Sequence, residues 1–110
     1  MVSSSDFIRG YSEIVVLAIL NKKDSYVYDL VQTIEEWTDG QIMISNPSLL
    51  LIIRKMQDEG KVVSYEKLNE KGVHRKYYTL TEFGKNIYEN LKGEYINSLV
   101  AMTRIIKGEF

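Results

Sequence analysis

The sequence predicts a mainly α fold with a small β-hairpin, and three observations carry that prediction. Apolar residues recur at helical spacing in three stretches before residue 60. Two runs rich in Val, Tyr and Thr follow, on either side of a polar loop that contains Gly72. A last stretch, from Thr81 to about Lys107, keeps an apolar repeat of three to four residues to its end.

Ile14–Leu20 is apolar at every position, which suits a helix buried on most sides. Asn21–Asp24 interrupts it, and Asp24 or Ser25 is placed to cap the next helix. Val27, Leu30, Val31 and Ile34 then fall at i, i+3, i+4 and i+7, until the turn signal Asp39-Gly40. The third helix has the sharpest start. Asn46 is expected as its N-cap, with Pro47, the only proline, at the first helical position. Leu49, Ile52, Ile53 and Met56 form its apolar stripe, and Gly60 is its expected stop. Val62–Leu68 and Val73–Leu80 read as a hairpin joined through Asn69–Gly72. Thr81 is expected to cap the last helix, with Glu82 favourable in its first turn.

Composition narrows the classes of function. The 110 residues make one domain's worth of chain, 45% hydrophobic and 26% charged, which is ordinary for a soluble protein. There is no cysteine, so thiolate chemistry and disulfides are excluded and a cytoplasmic location fits. Met1 is followed by polar Ser3 to Asp6, and no secretory signal is expected. The apolar runs fall far short of the roughly 20 residues of a membrane span. One His, no Cys and no Gly-rich phosphate loop leave little for catalysis, so neither an enzyme, a metal nor a cofactor is expected. The net charge of −1 argues against a protein that coats nucleic acid, yet Lys71, His74, Arg75 and Lys76 crowd together. A near-neutral chain can still present a basic face.

Three helices, a hairpin and a long helix follow the winged helix-turn-helix plan, in which the third helix enters the major groove and the hairpin is the wing. Residues 1–80 would form a DNA-binding head and 81–110 a dimerisation helix, the two making one continuous domain. Short helices and a hairpin cannot cover a helix of roughly 40 Å. Tyr95, Leu99, Met102 and Ile106 on its second half therefore point to a two-fold partner, unless Gly93 lets the helix bend back, and these four with Tyr88, Leu91 and Ile8 are candidates for a dimer interface or a ligand pocket.

On the third helix Asn46, Ser48, Arg54 and Lys55 offer phosphate or base contacts, and Leu51 points away from the core stripe. Leu50 can touch thymine methyls or pack on the wing or a neighbouring helix, and packing is the preferred reading. Leu51 either touches thymine methyls or packs on protein. On the wing, Lys67, Lys71, His74, Arg75 and Lys76 are candidate phosphate contacts, and Arg75 or Lys76 can instead turn inward to brace Glu or Tyr side chains.

Several segments, in order, resemble the PadR-like transcriptional regulators. They are Arg9-Gly10, Ser25 to Leu30, Asn46-Pro47-Ser48-Leu49 through Asp58-Glu59-Gly60, and above all Arg75-Lys76-Tyr77-Tyr78-Thr79-Leu80-Thr81-Glu82-Phe83-Gly84. The single C-terminal helix is similar to the short subfamily. The resemblance implies a homodimeric repressor on a palindromic operator in double-stranded DNA. Members often control stress, detoxification or efflux genes, and some release DNA when an aromatic small molecule binds between protomers. Tyr95, with Ile8 from the first helix, would line such a space, while Tyr95 equally suits ordinary interface packing and Trp37 suits packing at a helix end. One departure is Ser48-Leu49-Leu50, where the family usually has Thr-Leu-Tyr. It removes a polar group from the DNA-facing helix. The alternative to a repressor is a winged-helix protein-interaction module with weakened DNA binding.

Overall fold

The computed structural model describes residues 10–110. Its elements run α1 (Ser12–Lys22), α2 (Val27–Trp37), α3 (Asn46–Asp58), β1 (Val62–Leu68), β2 (His74–Leu80) and α4 (Glu82–Ile106). Three short helices enclose a core closed on one side by an antiparallel hairpin, and α4 extends away from it, giving a longest dimension of 51 Å.

The stripes named from periodicity are the core. Val16, Leu17 and Leu20 of α1 meet Leu30 and Ile34 of α2, Leu49, Ile53 and Met56 of α3, and Val62, Tyr78 and Leu80 of the hairpin. Each fully buried aliphatic side chain stabilises the fold by about 1.5–3 kcal/mol relative to exposure. Leu50 is half-buried against this core, as expected.

Two helix starts differ from the sequence expectation. Neither Asp24 nor Ser25 caps α2. Tyr26 occupies the cap position with no side-chain hydrogen bond. Ser25 is instead a one-residue third strand on β2: its N–H donates to the Tyr78 carbonyl (3.3 Å) and its carbonyl accepts from the Tyr78 N–H (2.7 Å). Its hydroxyl donates to Asp29 (2.5 Å), and the Asp24 carboxylate accepts from the Tyr65 hydroxyl (2.6 Å). Both candidate caps thus have tertiary partners. At α3 the cap is Ser45 rather than Asn46. Its backbone is extended and its Oγ accepts from the Ser48 N–H (3.2 Å), which makes Asn46 the first helical residue and Pro47 the second. Asn21 and Lys22 lie within α1, so the polar break begins two residues later than its composition suggests.

The stops behave as read. Asp39, with φ 51°, closes α2 while Gly40 N–H donates back to the Glu35 carbonyl (2.8 Å). Gly60, with φ 78°, closes α3 in the same way, and Lys61 N–H donates to the Met56 carbonyl (2.9 Å). In the hairpin Val62 faces Leu80 and Leu68 faces His74. Val73 belongs to the turn rather than to β2, because its N–H donates to the Asn69 side chain (2.9 Å) and its carbonyl accepts from the Asn69 N–H (2.8 Å).

Thr81 caps α4 as expected, its Oγ1 accepting from the Gly84 N–H (3.0 Å). α4 runs unbroken through Gly93 for 25 residues, about 37 Å at 1.5 Å per residue. Its first half lies on the head through Gly84, Ile87 and Tyr88. Its second half exposes Ile96, Leu99, Val100, Met102, Ile105 and Ile106. Among the described residues no helix is long and apolar enough to cross a membrane.

Candidate nucleic-acid interface

α3 buries Leu49, Ile53 and Met56, and the 100° step between residues turns Leu51, Arg54 and Lys55 to the opposite side. All three are exposed, Leu51 to 67%. Asn46 is exposed at the start of the helix. Ser48 is half-buried and accepts a hydrogen bond from the Ser45 hydroxyl (2.9 Å), which leaves its own proton free to donate.

A groove of about 350 Å³ runs between the start of α2, the flank of α3 and β2. Tyr28, Asn46, Leu50, Arg54, Gln57, Arg75 and Lys76 are among the residues lining it. It unites four predicted contact residues, Asn46, Arg54, Arg75 and Lys76, that are spread over 31 positions of sequence. Tyr26, Val27 and Tyr28, at the amino end of α2, also line this groove, and no side chain caps that end. Two guanidinium groups, one ammonium group and a helix amino end make a seat suited to phosphate. Buried Tyr78 lies beneath: burial pushes its phenol above the ordinary value, with nearby Arg54 acting against this.

The two wing cations in the groove differ. Lys76 is exposed and faces Glu66 across the hairpin. Arg75 turns inward, the second of the two arrangements open from sequence. Its guanidinium lies 5.2 Å from the Tyr26 ring centre and 5.9 Å from that of Tyr28, with Nε buried and unpartnered among the described residues. It is therefore a braced cation, held in place by two aromatic faces. Lys71 and His74 are exposed near the hairpin tip. Lys71 lines a separate, larger cleft with Tyr26, Tyr65, Lys67 and Tyr77.

Sequence reasoning missed the tyrosines that hold the wing. Tyr65 stacks on Tyr77 (5.7 Å between ring centres), Tyr26 meets Tyr77 edge-on (5.1 Å), and Lys67 Nζ sits 4.3 Å over the Tyr77 ring. The Asn69 side chain donates to the Tyr26 hydroxyl (3.3 Å). The hydrogen bond to Asp24 pushes the Tyr65 phenol up to about 12. The signal was present as alternation: Tyr65 and Lys67 on β1 face Tyr77 and Arg75 on β2.

The stripe on α4 divides in two. Tyr88 is half-buried against the core, Leu91 is half-buried, and Tyr95 is half-buried with its ring edge-on to Tyr11 at 5.5 Å. Leu99, Met102 and Ile106 are exposed, at 41%, 40% and 84%. Ile8 lies outside the described residues. Trp37 does not pack at the end of α2; it is 85% exposed. No cluster of three or more potential metal ligands occurs among the described residues.

Residues 16–90 match the model of the Transcriptional regulator PadR-like family. The chain belongs to this family. A transcriptional regulator from Clostridium thermocellum superposes on the PadR-like chain with a TM-score of 0.78 at 29% identity, covering 94% of this chain and 97% of its own. A PadR family transcription regulator from Clostridium difficile gives 0.72 at 27% identity, covering 87% and 98%. An uncharacterized protein of Lysinibacillus sphaericus is 29% identical over 91 residues, 83% of this chain and 84% of that protein. The PadR-like chain is thus a DNA-binding transcriptional regulator with a winged-helix fold, and its family regulates transcription rather than catalysing reactions.

Proposed function

We propose that this PadR-like chain is a cytoplasmic homodimeric repressor that reads a palindromic operator. Residues 1–80 act as the DNA-binding head and 81–110 as the dimerisation helix. The observation that carries this reading is the convergence of Asn46, Arg54, Arg75 and Lys76 on one groove beside the exposed face of α3. In this arrangement α3 enters the major groove, where Arg54 and Lys55 reach guanine edges or phosphates and Leu51 contacts thymine methyls. Arg75, Lys76 and the amino end of α2 hold the adjacent phosphates, while Lys71 and His74 at the wing tip reach further along the backbone. The exposed aliphatic residues of α4 favour a two-fold partner, which places two recognition helices about one DNA turn apart.

Gel-shift titration across salt concentrations tests the phosphate contacts. Affinity should fall steeply with salt, with a slope of about −0.9 per phosphate neutralised. Changing Arg54, Arg75 and Lys76 together to Ala should make that slope about three units shallower. Salt-independent binding would instead favour the protein-interaction module, for which the exposure of Leu51 is the supporting observation.

The effector is a finer part of the proposal. Tyr11, Leu91 and Tyr95 line an open cleft of about 420 Å³ beside the exposed half of α4, and two tyrosine rings suit a planar aromatic molecule. Screening aromatic compounds for displacement of the protein from DNA tests this. If none displaces the protein, or if Tyr95→Ala responds like the wild type, the cleft has no effector role.

A further inference from the structure

The motif Thr81-Glu82-Phe83-Gly84 carries the family resemblance, yet none of its residues belongs to the DNA-facing groove. Its place in the fold supplies another role. Thr81 Oγ1 caps α4 by accepting from the Gly84 N–H, and the same hydroxyl donates to the Gly60 carbonyl (2.7 Å). Thr81 N–H donates to the Lys61 carbonyl (3.1 Å). Gly84 is the one buried residue of α4. A Cβ added there would overlap the Lys61 carbonyl oxygen and lie 3.1 Å from its carbonyl carbon, so the first turn of α4 rests directly on the backbone that leaves α3. The Lys61 side chain, only 14% exposed, fixes that backbone to a third element: Nζ donates to Glu13 of α1 (2.6 Å) and to Glu59 (3.1 Å). Burial acts to lower the Lys61 ammonium, but those two carboxylates outweigh it and hold it above its ordinary value.

The end of the recognition helix, α1 and the start of α4 therefore meet at one point. The contact there is backbone on backbone, with no flexible side chain between. A joint of this kind transmits angle instead of absorbing it, because neither carbonyl nor helix backbone can rotate out of the way. We infer that Gly84, seated on Lys61, is a positioning residue that sets the angle between recognition helix and dimerisation helix, and hence the separation of the two recognition helices across the dimer. The inference rests on the dimer proposed above. It predicts that operator spacing is fixed at a position remote from every DNA-contacting side chain.

The absence of cysteine permits a direct test. Lys55→Cys places a single spin label on the exposed face of α3 in the full chain, and electron–electron resonance reads the distance between the two labels of a dimer. In an otherwise wild-type background one narrow distance is expected. Adding Gly84→Ala should leave a folded dimer by circular dichroism and sedimentation, with a mean distance displaced by more than the width of the original distribution. Adding Lys61→Met, which keeps the carbonyl seat but removes both ion pairs, should broaden the distribution around the original mean. A dimeric Gly84→Ala variant whose distribution superimposes on the original overturns the inference. If Gly84→Ala does not fold, an unchanged width in Lys61→Met overturns it instead. A chain that sediments as a monomer without substitutions gives no distance, and then the dimer proposal fails and this inference with it.

Discussion

The head and the outer half of α4 hold similar aliphatic residues with opposite fates. In the head, Leu17, Leu30, Leu49 and Ile53 are wholly buried, and each helix finds its cover within the chain. In α4 the cover ends at Tyr95, which rests on Tyr11, and Ile96, Leu99, Val100, Met102, Ile105 and Ile106 follow with 40% to 84% of their surface exposed. The contrast is one of geometry rather than composition. A straight helix of about 37 Å outruns a head built from helices of 11 to 13 residues, and nothing else in the described chain reaches its far end. The head finds its cover within the chain, whereas the outer half of α4 has none among the described residues, which is what the proposed dimer would supply.

The sharpest way to break this contrast is to charge the uncovered half. Leu99→Glu combined with Met102→Glu should abolish dimerisation by sedimentation while leaving the thermal transition of the head nearly unchanged. Loss of paired binding should weaken operator affinity about 10²- to 10⁴-fold. A variant that stays dimeric would mean that this face is not the interface. The matching change in the covered half is Leu49→Ala, which should cost about 2–5 kcal/mol of stability in chemical denaturation, through lost burial and the cavity it leaves. Ile106→Ala, at 84% exposure, should stay within about 0.5 kcal/mol in the dissociated chain.

The two wing cations sharpen the comparison at smaller scale. Arg75→Lys keeps the charge but loses the flat guanidinium between Tyr26 and Tyr28, and should lower both DNA affinity and stability by about 1 kcal/mol. Lys76→Ala, exposed, should weaken DNA binding similarly with little change in stability. Equal stability losses in the two variants would contradict the braced role of Arg75. A modest effect, about 1 kcal/mol or less, is expected at Tyr65→Phe, because the lost hydrogen bond to Asp24 is solvent-exposed. Its pH dependence has a fixed sign. The phenol is raised from 10 to about 12 in the folded state, so the contribution is full below pH 10 and disappears as pH rises towards 12. In an alkaline absorbance titration, Tyr65→Phe should remove a tyrosine that ionises near the top of that range.

Local physics made most of the fold legible. The stripe Leu49, Ile52, Ile53, Met56 needs only helical periodicity, and Thr81 and Gly60 act through their immediate neighbours. What escaped depends on residues far apart in sequence. Ser25 fails to cap α2 because it pairs with Tyr78, and Asp24 is occupied by Tyr65, 41 residues away. Arg75 and Lys76 are adjacent and equally charged, and only the alternation of a strand packed against α2 separates them into braced and exposed cations. The choice of Ser45 over Asn46 as cap was a matter of one residue between two good candidates. Trp37 reads as a packing residue by its size, yet it stands 85% exposed in the described chain.

Selection of bound sequences from random DNA tests the central claim most directly, that two copies of this head read DNA together through one basic groove and one recognition helix each. The expected result is an enriched inverted repeat whose half-site centres lie about 10 base pairs apart or a multiple of that. The Leu99→Glu, Met102→Glu variant should retain the half-site sequence but lose the fixed spacing. Enrichment of no motif, or of one unpaired half-site by the wild-type chain, would contradict the claim.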